Sequence, residues 1–524
     1  MPYAVMIYAL VLGACASLPV DYPREESRSL QDTGDTRLGR AVAPLVDVHP
    51  GLSGVHPLVR GTDAFVARLV LAAGAERSLD VQYYIWRNDA TGRVLLDHLV
   101  RAADRGVRVR LLIDDLGTAA DDVQLLLLDE HPNIEVRLFN PIAARRARGL
   151  GALAEFARVN RRMHNKSFTA DNQVTIVGGR NIGDEYFEAR PDQDFADLDV
   201  MAVGPVVQQV SDSFDQYWNS ESAYPIAALV SGKVTSEQIE RGRAALKQYS
   251  DSQRSSAYAE ALRNSALARD LHAGALGLYW CRAETLYDDP AKVTESPEDR
   301  RTHLLPRLGR ITEVTQHELL LVSPYFVPGK AGVEYFRGLH SRGVQVTVLT
   351  NSLAATDVSA VYAGYSRYRR PLLEAGVALY EVKPTARRAD KEAKREGGPG
   401  SGLPGSSRAS LHAKVFNFDR KAVFVGSLNL DPRSAALNTE IGLVFESPEL
   451  ATLMAEEFIA AFSRSAYRLE LVSGDPRSSD SRKKLEWVER EDDGEVRYDA
   501  EPQVGAWRRL GVWFMSWLPI ESQL

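Results

Sequence analysis

With 524 residues the chain exceeds what one hydrophobic core ordinarily organises, and two or more domains are expected. A composition of 44% hydrophobic and 25% charged residues with 38 Gly is that of a globular protein and excludes a collagen, a coiled coil or a wholly disordered chain. The 63 Lys and Arg against 70 Asp and Glu leave a net charge of −7, which argues against a protein that coats nucleic acid, and two Cys exclude a disulfide framework.

The chain opens on an apolar run, Tyr3 to Ala14, about the length of a signal-peptide h-region, which runs into Leu12-Gly13-Ala14-Cys15. That small-residue site resembles the cleavage site of a bacterial lipoprotein. It implies a signal peptide over 1–14 and lipidation of Cys15, which would anchor the body to a membrane by several acyl chains. A Lys or Arg n-region is missing, so a frayed apolar N-terminus is the alternative. No stretch reaches the ~18 consecutive apolar residues that span a bilayer.

After an N-terminal segment, 15–56, one order of elements occurs twice. The first copy, 57–232, has a helix from Ala64 to Ala73, the strand Leu79 to Ile85, a helix from Val94 to Ala103, Arg105-Gly106-Val107, and strands Val109 to Ile113 and Ile134 to Phe139. The second, 301–470, has the strand Glu318 to Val322, a helix from Val333 to Leu339, Arg342-Gly343-Val344, and strands Val346 to Leu349 and Val377 to Val382. Apolar strands alternating with helices read as βαβ units with parallel strands buried on both faces, so each half is an α/β domain. A helical linker is expected over 233–300. A Gly-, Ser-, Lys- and Arg-rich flexible insert is expected over 386–410.

Beyond 470, Leu485, Trp487 and Val488 precede Asp492-Asp493-Gly494, then Val496 and Tyr498, the pattern of a hairpin. The tail from Trp507 to Pro519 sets three Trp and a Phe beside Arg508 and Arg509. Such residues suit either a membrane interface or docking on the protein's own core.

Each half then reaches a motif rich in chemistry. The first is Met163-His164-Asn165-Lys166-Ser167-Phe168-Thr169-Ala170-Asp171, followed by Gly178-Gly179-Arg180-Asn181. The second is Leu411-His412-Ala413-Lys414-Val415-Phe416-Asn417-Phe418-Asp419, followed by Gly426-Ser427-Leu428-Asn429. Both read H-x-K-x4-D, with Asn 15 positions after the Lys. On a strand, His and Lys two apart face the same side. A cationic Lys beside an imidazole and an Asn amide makes a pocket for a phosphate oxyanion. The small residues Gly178, Gly179, Gly426 and Ser427 let the backbone approach a ligand. Asp171 and Asp419 complete the motifs and, at the expected turns, take a mainly structural role. Downstream, Asp197 aligns with Glu440, and a carboxylate beside each His would fix its tautomer and hold its cationic form. Asp199, aligned with Gly442, has no evident role. Lys next to each His, with no Cys, disfavours zinc.

These motifs resemble the phospholipase D superfamily, over about Pro57 to Ala466. More narrowly, Arg162 to Phe168, Gly178 to Phe187, Asp197 to Met201 and Asn429-Leu430-Asp431-Pro432-Arg433-Ser434 look like its cardiolipin synthase C branch. The resemblance implies two phospholipase D-like α/β domains in a pseudo-twofold arrangement with the active site at their interface, and no metal or cofactor. It also implies ping-pong phosphatidyl transfer, with His164 as nucleophile, His412 as acid then base, and Lys166, Lys414, Asn181 and Asn429 holding the phosphoryl oxygens. The near symmetry leaves the two His roles reversible. The donor would be phosphatidylethanolamine or phosphatidylglycerol and the acceptor phosphatidylglycerol, giving cardiolipin, with no nucleic acid; a hydrolase releasing phosphatidic acid, a nuclease of the same superfamily and an inactive envelope scaffold are the alternatives.

A basic segment before the first motif, Arg145, Arg146, Arg148, Arg158, Arg161 and Arg162 against Glu155, would hold anionic headgroups or form a solvated face. Tyr83, Tyr84, Trp86, Tyr325 and Phe326 would line a lipid-accessible mouth or belong to the core. The expected location is a bacterial cell envelope, facing the periplasm. Ala16 after Cys15 favours the outer membrane, and phospholipid synthesis favours the outer surface of the inner one.

Overall fold

The computed structural model describes residues 17–118, 122–190, 194–230, 232, 234–273, 275–384, 409–473, 483–491, 494–519 and 521–524. Cys15, the apolar run before it and nearly all of the basic insert lie outside these residues.

The first half contributes β1 (Ser53–Leu58), β2 (Ser78–Tyr83), β3 (Arg108–Asp114), β4 (Ile134–Phe139), β5 (Ser167–Ala170), β6 (Val174–Gly178), β7 (Asp194–Ala196), β8 (Asp199–Val203) and β9 (Ala223–Pro225). The second contributes β10 (Tyr279–Tyr287), β11 (Glu318–Val322), β12 (Gln345–Asn351), β13 (Ala378–Val382), β14 (Ala409–Leu411), β15 (Val415–Phe418), β16 (Ala422–Gly426), β17 (Ile441–Glu446), β18 (Ala466–Val472), β19 (Lys484–Glu491) and β20 (Gly494–Tyr498).

Eighteen of these strands form one sheet. Its centre is the antiparallel pair β1–β10, which aligns Gly54 with Trp280. Outward from that pair the order is β1-β8-β6-β5-β2-β3-β4-β9 on one side. On the other it is β10-β17-β16-β15-β11-β12-β13-β18, extended by the hairpin β19–β20. The two orders match strand for strand, the pseudo-twofold arrangement of an internal duplication.

Within that sheet, parallel pairing is confined to β2-β3-β4 and β11-β12-β13, the strands joined by crossover helices. The remaining strands are antiparallel, so each half is a mixed sheet rather than the parallel one expected from alternating strands and helices. The reason is local. Tight hairpins join β5 to β6 and β15 to β16, and a hairpin reverses the chain. Asp171 and Asn172 (φ 51° and 50°) and Asp419 and Arg420 (φ 53° and 54°) take left-handed backbone at those two turns.

The second sheet half begins at Tyr279, inside the stretch 233–300 expected as a linker, and the first begins at Ser53. The helices Ser236–Gln253, Ala257–Arg263 and Ala266–Ala273 pack on the helices Gly61–Gly74 and Ala90–Asp104 of the first half. Each half has its own apolar core. A third core draws on both: Val55, Val177 and Val200 from the first, Ala413, Val425 and Ile441 from the second. Burying each such side chain stabilises by roughly 1.5–3 kcal/mol, so the halves are fused by hydrophobic burial and not merely tethered.

Candidate active site

Both motifs lie on that fused seam. Lys166 and Lys414 immediately precede β5 and β15, and the backbones leading into them bind the opposite half. His164 N–H donates to Thr439 O at 2.9 Å and Thr439 N–H to Arg162 O at 2.9 Å. His412 N–H donates to Ala196 O at 2.8 Å, where β7 and β14 form a short parallel pair across the halves.

The side chains cross over in the same way. His164 Nδ1 lies 2.8 Å from Glu440 Oε2, 276 positions away. His412 Nδ1 lies 2.6 Å from Asp197 Oδ2, 215 positions away. Each imidazole is thus held by a carboxylate of the other half. An Nδ1–H donated to a carboxylate fixes the tautomer and leaves Nε2 for chemistry. His164, His412, Lys166, Lys414, Asn181, Asn429, Asp197 and Glu440 are all buried. The Lys ammonium groups donate to the carbonyls of His164 and His412. Lys414 Nζ lies 3.3 Å from His412 Nε2, within reach of an oxyanion bound there.

The two dyads differ electrostatically. Burial alone would raise Asp197, but the charge and hydrogen bond of His412, with Lys414 and Arg180, bring it down to about 2. Burial raises Glu440 to about 7, only partly opposed by Lys166 and the Ser427 hydroxyl. Burial and then the charges of Lys166, Lys414 and His412 push His164 well below its ordinary value. His412 is also lowered, by burial and Lys414, but Asp197 works against that fall. Burial lowers Lys166 well below the usual ammonium range, and lowers Lys414 to about 8.

The small residues after the motifs make room for carboxylates rather than for ligand. A Cβ at Gly179 would sit 2.1 Å from Asp197 Oδ1, and one at Gly178 would sit 2.2 Å from Asp199 Oδ1. Ser427, the counterpart of Gly179, donates its hydroxyl to Glu440 at 2.5 Å and accepts from Ile441 N–H at 3.0 Å. Asp199 proves to be the centre of a buried network, 2.8 Å from Arg68 and 3.6 Å from Arg180. Arg180 also donates to Asp197 O. In the second half that space is taken by Phe424, stacked on Phe416, which is why Gly442 stands where the first half has Asp199.

The amides also part company. Asn181 accepts from Ile85 N–H at 3.2 Å and donates to the Tyr186 hydroxyl at 3.0 Å. Asn429 Oδ1 is buried without a hydrogen-bond partner among the described residues. Asp171 accepts from the backbone N–H groups of Glu76, Arg77 and Ser78, and Asp419 from those of Gln316, His317 and Glu318. A four-residue strand, roughly 13 Å at ~3.3 Å per residue, separates each from its motif Lys. They anchor turns and do not belong to the reacting pocket.

Most of the basic segment is engaged internally, contrary to a headgroup patch. Arg162 pairs with buried Asp114, Arg145 with Asp115 and Asp122, Arg148 with Asp115, and Arg158 with Glu155. Arg161 donates to backbone carbonyls of Lys292 and Glu295, and Arg146 remains exposed. Of the aromatics, Tyr84 packs edge-on at 5.1 Å to His164. Tyr83, Trp86 and Phe326 are core residues, and the Tyr325 hydroxyl donates to Asp357.

Several neighbours were invisible as functional residues in the sequence. Tyr186 and Phe195 both stand 5.2 Å from the His412 ring. Asp288, from the supposed linker, accepts from Glu440 N–H at 2.8 Å and pairs with Lys292 at 3.0 Å. Only the family resemblance of the stretch Gly178 to Phe187 touched Tyr186; nothing marked Asp288.

The family profile described as "Cardiolipin synthase, PLD-like domain" matches residues 70–218 and 310–461. Cardiolipin synthase C of Escherichia coli (strain K12) is 45% identical over 485 residues, 93% of this chain and 99% of that protein. Cardiolipin synthase A of Pseudomonas aeruginosa (strain LESB58) is 27% identical, over 81% of this chain and 69% of that protein. The solved phosphatidylserine synthase of Haemophilus influenzae Rd KW20 shares the fold at a TM-score of 0.53 and 15% identity, covering 82% of this chain and 92% of that one. With two such domains and a site built from both, the chain belongs to the phospholipase D-like family of cardiolipin synthases and is a phosphatidyltransferase of the phospholipase D type.

Proposed function

We propose that the protein makes cardiolipin by ping-pong transfer through a phosphohistidine on His164, with phosphatidylglycerol as acceptor and phosphatidylethanolamine or phosphatidylglycerol as donor. The observation that carries this reading is the unequal pair of crossed dyads. Asp197, fully ionised, supports a proton on His412, whereas His164 beside the less acidic Glu440 is kept as the neutral imidazole a nucleophile requires.

In the first step His164 Nε2 forms a bond to phosphorus while the bond to the headgroup oxygen breaks, and the His412 imidazolium protonates the departing alcohol. In the second, neutral His412 takes a proton from the acceptor hydroxyl, whose oxygen attacks phosphorus and releases His164. Lys166 and Lys414 hold the non-bridging oxygens. Asn429, with its free Oδ1, orients the incoming hydroxyl, while Asn181 is steadied by Ile85 and Tyr186. An anion entering this cleft favours the charged forms of Lys166, Lys414 and His412, so substrate binding itself completes their ionisation. The burial of both imidazoles limits water at the intermediate and favours a lipid alcohol as acceptor.

Incubation with mixed phosphatidylethanolamine and phosphatidylglycerol vesicles tests this: cardiolipin forms, and the release of ethanolamine or glycerol identifies the donor. Phosphatidic acid without cardiolipin overturns it in favour of hydrolysis. The reading carries with it a location in a bacterial cell envelope, facing the periplasm and anchored through Cys15, for which palmitate labelling of wild type against Cys15→Ala is the test.

A further inference from the structure

The C-terminal helix Ala506–Met515 has two apolar faces, and the protein covers only one. Val512 is 5% exposed and joins the core of the second half. At about 100° per residue, Trp507, Leu510, Trp513 and Phe514 fall within an arc of about 120° on the other side. Trp507 is 85% exposed, Trp513 58% and Phe514 63%, and Trp517 in the following turn is 73% exposed. Indole rings left in water on a firmly docked helix are not a folding feature, because burial of such surface is what stabilises a fold.

The helix is fixed at both ends. Arg508 donates to Thr356 O at 3.1 Å, and beyond the helix Glu521 bonds the Tyr368 hydroxyl at 2.6 Å. The last residues then reach the catalytic seam. Asn160, four positions before His164, donates to Gln523 Oε1, and Arg433, four positions after Asn429, donates through its backbone to Leu524 O at 2.7 Å. Arg433 also bonds Asn160 at 2.6 Å, so the chain terminus bridges the two motif segments. Gln523 follows Trp517 by six positions, a reach of at most about 22 Å. Just before Asn160 in the chain, the helices Arg148–Ala154 and Phe156–Val159 expose Leu153 at 70% and Phe156 at 54%. Exposed apolar side chains are thus carried on both segments that meet at Asn160.

We propose that these two apolar surfaces, the aromatic face of the C-terminal helix and the Leu153–Phe156 turn, insert into the outer layer of an anionic phospholipid bilayer and set the active-site seam against it. Trp at such a depth suits the boundary between headgroups and acyl chains, and Arg508, Arg509 and exposed Arg146 add attraction to anionic lipid. The choice of a lipid surface over a protein follows from position: the patch borders a buried site whose substrates are themselves phospholipids. To that extent the proposal rests on the phosphatidyl-transfer reading.

The test uses the full chain carrying Cys15→Ala, so that no acyl anchor contributes, with phosphatidylglycerol and phosphatidylethanolamine vesicles whose acyl chains are brominated. Of the seven Trp, Trp86, Trp218 and Trp487 are buried and Trp280 stacks on His49, so quenching reports chiefly on the tail. Vesicles quench the fluorescence, and Trp507→Ala with Trp513→Ala and Trp517→Ala weakens sedimentation with vesicles at least tenfold. Leu153→Glu alone weakens it at least threefold. The triple variant loses at least tenfold of its rate on vesicles but less than threefold on short-chain phosphatidylglycerol dispersed below its micelle concentration. Unchanged vesicle binding by the triple variant, equal loss on both substrates, or a dimer that the triple variant dissolves overturns the proposal. Binding is measured on His164→Ala as well, which sediments with vesicles as the parent does while transferring nothing; a parent protein with intact His164 that binds vesicles but transfers no phosphatidyl group refutes the functional reading and leaves the docking surface standing.

Discussion

The two dyads at the seam, His412 with Asp197 and His164 with Glu440, are related by duplication but have drifted apart in acidity. In the first-half carboxylate, a short Asp lies against Gly179, accepts a backbone N–H from Leu198 at 2.8 Å and sits near Arg180. In the second, a longer Glu takes a Ser427 hydroxyl, while its Oε1 is buried without a partner among the described residues. A carboxylate surrounded by donors stays ionised; one that is buried with fewer holds its proton to higher pH. Unequal solvation of the two carboxylates, Asp197 in one half and Glu440 in the other, is what sets the halves of this duplicated site apart.

Removing the imidazoles breaks the comparison most completely. His164→Ala abolishes transfer, and His412→Ala lowers it by about 10⁴-fold. With a substrate whose leaving group needs no proton, such as a nitrophenyl phosphodiester, His412→Ala still forms a phosphoenzyme and His164→Ala does not, as ³²P retention on the protein reports. The opposite pattern reverses the roles.

The carboxylates come next. Asp197→Asn is expected to lower kcat/KM by on the order of 10³-fold and Glu440→Gln by on the order of 10²-fold, because only the former removes a full negative charge at neutral pH. Equal losses would mean that both dyads do the same work.

A smaller effect lies in the pH profile. Lys414 at about 8 loses its proton, and with it its grip on an anion, as pH rises above that value. Glu440 at about 7 gains a proton as pH falls and then cannot accept from His164. The expected kcat/KM profile is a bell with limbs near 7 and 8. Lys414→Arg moves the alkaline limb upward, and Glu440→Gln flattens the acid one.

The motif aspartates give the smallest change in rate. Asp171→Asn removes a carboxylate that accepts from three backbone N–H groups, at a cost of about 1.5–3 kcal/mol in stability, and Asp419→Asn, half-buried, costs less. Melting temperature falls by a few degrees while kcat stays within about threefold. A hundredfold loss of kcat in a folded Asp171→Asn protein would return that residue to the pocket.

The strands Val109 to Ile113 and Ile134 to Phe139 were readable because buried parallel strands are continuous apolar runs, and the structure pairs them side by side. The antiparallel part of each sheet was not, since β5 and β6 are four and five residues long, and their direction depends on a turn rather than on periodicity. The basic segment misled for a related reason. Arg145, Arg148 and Arg162 meet Asp114, Asp115 and Asp122, which precede them by 23 to 48 positions, so charge counted in a local window missed its compensation. Phe195 and Asp288 carry no motif at all.

Repetition is a property of the chain itself, and two copies of a spaced His-Lys-Asp pattern with a trailing Asn therefore marked the candidate residues, of which the structure brings His164 and His412 to the seam and leaves Asp171 and Asp419 at turns. Which carboxylate serves which imidazole was decided only when the halves closed on each other. Pairings across 276 and 215 positions depend on the register of a central β1–β10 seam and a shared hydrophobic core, and such long-range geometry leaves no trace in local spacing.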